Sequence, residues 1–503
     1  MNRRIGDPHV DDLRSRCAGV VALPARLEPW QTNVCRQPMM LAGWLDRYGS
    51  PLNLLDSSPV ARNVGELMDA AAKARVDLKI YFARKANKAL TFVERAHQLG
   101  LGVDVASEQE LGQTLDLGVS AADIVVSAAV KPTALLDLCA SSGATVVIDN
   151  EDELRLLIDA ARRFGQNVPV APRLAPQLAG RQTRFGLTTG EILAMVDRLW
   201  AAGVEQPLTI VGVHFHLDGY DAAERVSALA ECVQLIEALR ARGHRPTFID
   251  IGGGIPMSYF DDARDWDRFW SDHRAAVLGR REPLTFEGHG LGLTAHAGEV
   301  LGQPNLYPYY QDPIRGPWLT EVLTGTLGLP RGAEIAADAL RIRGLQLRCE
   351  PGRSLLDGCG LTAARVEFRK RWHDGTWLIG LMMNRTQCRS SSDEFLVDPL
   401  LLRAGGRGDD DVEVGPIEGY LVGAYCIERD LLSWRRMRFP MGVDVGDIVV
   451  FPNTAGYLMH ILESTSHQMP LARNLVFRPG EQPLLDAIDR VGPYRAGHGG
   501  GAV

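Results

Sequence analysis

Lys85 stands where a β-strand gives way to a turn. The segment DLKIYFARKANKAL carries Leu78, Ile80, Tyr81 and Phe82, then breaks at Ala83-Arg84-Lys85-Ala86-Asn87 before the helix-like LTFVERAHQL. A lysine at the carboxyl end of a strand, facing the space enclosed by the strand-to-helix loops, can lose its proton on burial and attack a carbonyl. Most lysines so placed are solvated surface residues, so the chemistry needs partners. Asp250-Ile251-Gly252-Gly253-Gly254 can bare successive backbone N–H groups as a phosphate cradle, although an isolated triple glycine is more often a flexible turn. Glu350-Pro351-Gly352-Arg353 adds a guanidinium able to grip a phosphate with two parallel hydrogen bonds, or else to pair with a surface carboxylate. His214 and His216 lie two apart on a strand and so face one side. They read as a metal site without a clear third ligand, as core histidines, or as an imidazole lying flat on an aromatic cofactor ring.

Short apolar strands separated by helix-length segments must position these groups. They are LKIYFA, GVDVAS, DIVVSAA, TVVIDN, VPVAPRLA, LTIVGVHFHL, TFIDIGGG and LQLRCEPG. Eight strands joined by crossovers of this length predict parallel pairing in a closed (β/α)₈ TIM-like barrel. An open doubly wound sheet usually puts its glycine-rich loop after the first strand, whereas here the glycines follow the seventh. The strands then end in Lys85; Asp104 and Ser107; Ser127 and Lys131; Asp149; Arg173; His214 and His216; the triple glycine; and Glu350 with Arg353. On one barrel face such a set specifies a site.

The interval before the eighth strand holds an insertion, within 257–340, of roughly 55 to 65 residues beyond an ordinary crossover. It is rich in Tyr259, Phe260, Trp266, Phe269, Trp270, Phe286, Tyr307, Tyr309, Tyr310 and Trp318, read either as a self-packed subdomain or as a lid over the barrel mouth. After Gly360 the period changes to two, with ARVEFRKRW, an Asp374-Gly375 turn, TWLIGLMM, GYLVGAYC and GDIVVFP. Residues 361–480 therefore read as an antiparallel β-domain, with 46–360 as the barrel and 1–19 and 481–503 as flexible tails.

The 503 residues suffice for two domains with full cores, and the net charge of −8 argues against a nucleic-acid or anionic-membrane surface. No apolar run reaches the roughly 18 residues of a membrane span, and no apolar segment follows the basic start, which reads as cytoplasmic. The eight cysteines include no CxxC pair and read as reduced thiols. Small molecules and a second copy of the chain are the expected partners, with no nucleic acid and no membrane.

Taken together, FARKAN (82–87), GVDVASEQEL (102–111), RFG (184–186), GVHFHLDG (212–219), DIGGG (250–254), EPGR (350–353), GAYCIERD (423–430) and TAGY (454–457) carry a resemblance. In this order they resemble the pyridoxal-phosphate (PLP) enzymes of the alanine-racemase fold type, specifically the group II amino-acid decarboxylases such as diaminopimelate and ornithine decarboxylase. The resemblance implies a PLP-bearing barrel, a β-domain completed by residues about 20–45, and a head-to-tail homodimer with shared active sites. It implies that Lys85 forms the internal aldimine, His216 stacks on the pyridine ring and Glu350 pairs with the ring nitrogen. Gly252, Gly253, Gly254, Arg353 and Tyr457 would hold the phosphate, Asp104 would join the cofactor site, and Cys426 would act from the partner chain. That cysteine would return a proton to the α-carbon once carbon dioxide has left; a small buried hydrophobe is its plain alternative.

The chain also departs from that pattern. Asp218-Gly219 follows the stacking histidine where the family usually has Gly-Ser, and a carboxylate beside a phosphate repels it unless turned away. Ile427 occupies the place of the acidic residue that binds the distal end of diamino acids; Glu428 and Asp430, just beyond it, are the substrate-binding candidates. Tyr457 lies in TAGYLMH rather than the commoner GAYG. The expected activity is decarboxylation of an amino acid or amino-acid-derived intermediate. A racemase or epimerase, or a non-catalytic PLP-binding protein, is the alternative.

Overall fold

The structure is a computed structural model that describes residues 8–178, 182–200, 206–390, 395–404 and 415–490. Its described residues fall into two compact units. One comprises Val60–Pro256 and Pro313–Leu355; the other comprises residues 8–59, Met257–Asp312 and Leu356–Asp489.

The first unit is the barrel that the strand signals predict. Its strands are β1 (Leu78–Ala83), β2 (Gly102–Val105), β3 (Ile124–Val126), β4 (Thr145–Ile148) and β5 (Val168–Leu174). They continue as β6 (Leu208–Ile210 and Gly212–Phe215), β7 (Phe248–Asp250) and β8 (Gln346–Cys349). Each pairs in parallel with the next, and β8 returns to β1, so the ring closes. β2, β3 and β4 are buried on both faces, as a parallel sheet covered by helices requires, whereas β8 alternates half-buried and buried residues. Two strand-opening glycines give room to aromatic plugs. A Cβ on Gly102 would lie 2.2 Å from the Tyr81 ring, and one on Gly212 would lie 2.3 Å from the Phe248 ring.

Helix starts follow from local chemistry. Ser107, Asn150, Thr188 and Asp221 accept from the backbone N–H of Glu110, Glu153, Glu191 and Ala223, so polar residues at strand ends also begin the covering helices. Gly143 and Gly165 end two of those helices in the left-handed conformation. No helix among the described residues is long and apolar enough to cross a membrane.

The second unit is built on the long strand Gly360–Arg371, which pairs antiparallel with Leu52–Leu55, Trp377–Leu381 and Ile448–Pro452. The expected Asp374-Gly375 turn closes the hairpin: Gly375 has φ +87°, and Thr376 N donates to Asp374 Oδ1 at 2.9 Å. Two pairings in this otherwise antiparallel sheet are parallel, Trp377–Gly380 with Gly419–Val422 and Leu52–Leu55 with Arg473–Val476. The long connections between these partners allow the chain to re-enter in the same direction. Within the segment expected as an N-terminal tail, Pro8–Ser15 is a helix and Ala18–Gly19 pairs with Met437–Arg438; residues 1–7 and 491–503 lie outside the described residues.

The aromatic insertion is divided between the units. Tyr259, Phe260, Phe269 and Tyr309 are core residues of the second unit, where Tyr309 meets Phe395 and Phe395 meets Phe451. Trp318, on the helix Arg315–Thr324, belongs to the barrel unit.

Candidate functional site

At the carboxyl end of β1 the chain enters a 3₁₀ turn, Arg84–Ala86, in which successive residues point different ways. Arg84 turns into the protein and is 1% exposed, donating to Glu110 O at 2.8 Å, Gln113 Oε1 at 2.8 Å and Lys88 O at 3.3 Å. These bonds fasten the turn to the helix Glu108–Asp116, and Lys85 faces the barrel end. Its Nζ lies 2.7 Å from Asp104 Oδ2 and 3.7 Å from Glu350 Oε2, so β1, β2 and β8 bring their terminal groups together. Ser127, at the end of β3, donates to Asp104 Oδ1. Burial raises the Asp104 carboxyl above its usual range and the charge on Glu350 raises it further, while Lys85 opposes both.

Glu350 is 1% exposed, and its Oε1 is buried with no hydrogen-bond partner among the described residues, although His214 Nε2 lies 3.3 Å away. A buried carboxylate oxygen left without a donor is costly, which marks it as waiting for a proton-bearing group. Asp250 Oδ1 accepts from Gly252 N at 2.9 Å, and burial together with the Glu350 charge pushes its carboxyl well up. His214, Asp250 and Glu350 lie within 4.8 Å of one another. That cluster takes one donor each from β6, β7 and β8 through the closure of the barrel, and it leaves His216 out.

The triple glycine follows β7. A Cβ on Gly252 would meet Phe215 O at 2.7 Å, one on Gly253 would meet Glu350 O at 3.0 Å, and one on Gly254 would meet Arg225 Nη2 at 2.2 Å. Gly252 and Gly254 have φ of +63° and +77°. A side chain at Gly252 or Gly254 would clash with the surrounding backbone, and one at Gly253 would press on Glu350 O. Gly253 N donates to His216 Nδ1 at 3.3 Å, which leaves the His216 proton on Nε2. Burial, then the charge on Lys85, holds His216 neutral; burial, then the charge on Arg173, does the same to His214.

Other strand-end residues serve the frame. Ser107 caps a helix, Lys131 donates to Glu153 at 2.9 Å, and Asp149 accepts from Gly186 N at 3.0 Å beside Arg173. Gly186, in the RFG segment, has φ +80°, and a Cβ there would lie 2.7 Å from Arg173 O. A cavity of about 630 Å³ is lined by this segment together with His216, Leu217 and Asp218. Arg353 is half-buried just past β8.

Cys426, Glu428, Asp430 and Tyr457 belong to the second unit. Cys426 and Glu428 are exposed on the loop 423–430. Asp430 is 3% exposed and accepts from Arg385 N at 3.0 Å and Tyr425 N at 2.9 Å, so both of its oxygens brace that loop. Tyr457 is half-buried with φ +68°, at a turn where its carbonyl accepts from His460 N and Ile461 N.

Sequence reading missed two arginines. Arg84 precedes the lysine, and Arg225 lies in the first turn of the helix Ala222–Ala241, 0% exposed. Only the oddity of a basic residue at a helix start could have singled out the second, because a cation is disfavoured there by the helix dipole.

Residues 61–281 match the family described as pyridoxal-dependent decarboxylase, pyridoxal binding domain. An uncharacterized protein of Sinorhizobium fredii is 31% identical over 445 residues, covering 88% of this chain and 91% of that protein. A diaminopimelate decarboxylase of Neisseria meningitidis is 26% identical over 278 residues, 53% of this chain and 66% of that enzyme. Sequence matches to diaminopimelate decarboxylases thus leave from about a third to more than half of those proteins uncovered. The crystal structure of diaminopimelate decarboxylase from Helicobacter pylori complexed with L-lysine superposes with a TM-score of 0.64 at 17% identity, covering 90% of this chain and 98% of that one. That likeness is one of fold.

Proposed function

The chain belongs to the pyridoxal-phosphate-dependent decarboxylases of fold type III, and from that premise we propose that it removes the carboxyl group of an amino acid or amino-acid-derived intermediate. The observation that carries the reading is the meeting of Lys85, Asp104 and a buried Glu350, with an oxygen unpartnered among the described residues, at the barrel end where Gly252 and Gly254 leave no room for a side chain.

These residues fit pyridoxal phosphate. Glu350 Oε1 suits a protonated ring nitrogen, neutral His216 suits a flat ring face, and Gly254 with Arg353 suits a phosphate, the N–H groups of Gly252 and Gly253 being engaged by Asp250 and His216. When bound, the cofactor supplies an electron-withdrawing ring that accepts the charge left as carbon dioxide departs.

The chain's own groups do the rest. Lys85 would hold the cofactor aldehyde through its amine, with Asp104 2.7 Å from Nζ to orient it and take up its proton. Glu350, buried, would hold a positive charge at the ring nitrogen more strongly than an exposed carboxylate could. Cys426 returns a proton to the α-carbon from the second copy of a head-to-tail dimer. Glu428, exposed two positions beyond Cys426, contacts the distal part of the substrate, while Asp430 fixes the loop that carries both. With Ile427 in place of an acidic residue and Asp218 lining the 630 Å³ cavity, the substrate differs from the usual diamino acids.

Incubating the purified protein with a panel of L- and D-amino acids tests the reading. Carbon dioxide release from one enantiomer of one class is expected, and loss of optical activity without gas release would replace decarboxylation by racemisation.

A further inference from the structure

Arg225 is the basic residue of the barrel unit that is most completely buried, and no reading of the family motifs assigns it a task. It lies in the first turn of a 20-residue helix, where the helix dipole opposes a cation, and burying a guanidinium is costly in itself. Its placement therefore calls for a return beyond packing, which an apolar side chain would provide more cheaply.

The return is visible in its bonds. Arg225 Nη2 donates to Gly219 O at 2.8 Å, Leu217 O at 3.2 Å and Gly253 O at 3.2 Å, tying the loop after His216 to the triple glycine. In a trans peptide the N–H lies opposite the C=O. Three carbonyls drawn onto one guanidinium turn the N–H groups of Asp218, Tyr220 and Gly254 away from it. N–H groups turned outward from two neighbouring loops can together line an anion site. Gly254 must lack a side chain because its Cβ would occupy the place of the guanidinium. Trp318 braces the arrangement, its Nε1 donating to Tyr220 O at 2.6 Å and its ring lying 6.0 Å from the Arg225 Cζ.

We propose that Arg225 is the positioning residue of the phosphate site: it orients the peptide groups of both loops toward the cofactor's phosphate. This inference rests on the proposed cofactor role of the barrel end. The chemistry recognised is a phosphate monoester dianion, so the aldehyde without its phosphate gains nothing from Arg225.

That asymmetry gives the test. Affinities for pyridoxal 5′-phosphate and for unphosphorylated pyridoxal are read from the visible band of the lysine-bound aldehyde, in the full-length wild-type protein and in Arg225→Met and Arg225→Lys. In Arg225→Met the affinity for pyridoxal phosphate is expected to fall about tenfold to a hundredfold, the range for hydrogen bonds made by charged groups, while that for pyridoxal changes less than about twofold. Arg225→Lys keeps the charge but not the planar fork, and should recover part of the loss. Equal affinities in wild type and Arg225→Met, or a parallel loss for both aldehydes, would overturn the proposal. If Arg225→Met does not fold, Arg225→Lys carries the same test through its ratio of the two affinities, expected at least about threefold below wild type; an unchanged ratio overturns it. Failure of the wild type to bind either aldehyde would strike at the cofactor reading instead.

Discussion

The barrel end and the loop 423–430 both carry side chains that could do chemistry, and they hold them in opposite ways. At the barrel end the groups are desolvated and locked: Glu350 and Asp104 are each 1% exposed, and His216 is fixed by the backbone of Gly253. On the loop, Cys426 and Glu428 are exposed, and only the buried Asp430 beneath them is tied down. The difference separates two kinds of task. Holding a cofactor and steering its electrons needs a low-dielectric, preorganised frame. Moving a proton and admitting varied substrates needs reach and access, which an exposed loop supplies.

Substitutions at the two places should then differ in kind as well as size. Lys85→Ala breaks the locked region at its reacting atom. Turnover is expected to fall about a thousandfold or more, and the visible band of the lysine-bound cofactor should vanish. A variant that keeps the band would remove Lys85 from its role.

Glu350→Gln is a finer break, because it keeps the shape and removes the charge. Turnover should fall roughly a hundredfold to a thousandfold with cofactor still bound, as when one preorganised electrostatic partner is lost. Turnover within twofold of wild type would show that desolvation at this position does no electronic work. On the loop, Cys426→Ala should lower turnover only about tenfold to a hundredfold and leave cofactor affinity unchanged. In heavy water the variant should also lose the stereochemical fidelity of deuterium at the product's α-carbon. If Cys426→Ala instead weakens cofactor binding as much as Glu350→Gln does, the division between frame and reach fails.

The same contrast explains what was legible in the sequence. β2, β3 and β4 could be read because parallel strands buried on both faces give short apolar runs, and the strand ends could be read because turn chemistry interrupts those runs abruptly. Lys85, Asp104, His216, the glycines and Glu350 were therefore all found as strand endings. Arg84 and Arg225 were not, since what matters about them is burial among carbonyls contributed by distant loops. The division of the aromatic insertion was equally hidden. Tyr309 and Trp318 are nine residues apart and enter cores of different units, and periodicity carries no information about which core an aromatic residue joins. That the loop 423–430 closes on the Asp430 carboxylate through Tyr425 N, and that the other oxygen holds Arg385 N from 45 positions earlier, carries no signature in the sequence.

The smallest predicted effect is a slope, and it measures desolvation at the barrel end directly. Burial holds His214 and His216 neutral well below the ordinary histidine range, so an unfolded chain takes up protons there that the folded one refuses. Their contribution is fully present above the unfolded histidine pKa of about 6.5 and is lost as the pH falls, by up to ~1.4 kcal/mol per pH unit for each group. Asp104 and Asp250 act in the opposite sense: their raised carboxyl pKa values let the folded state take protons first, which favours it as the pH falls. The wild-type slope is thus a sum of opposing parts, and only a difference isolates the histidine. His214→Asn keeps a polar side chain facing Glu350, Arg173 and Asp104 but cannot titrate. Between pH 6 and pH 5 its unfolding free energy, measured with denaturant at matched cofactor saturation, should depend on pH less steeply than that of wild type by up to ~1.4 kcal/mol per unit. Parallel slopes would mean that His214 takes up its proton as readily in the folded barrel as in water, and that the barrel end is no drier than the loop.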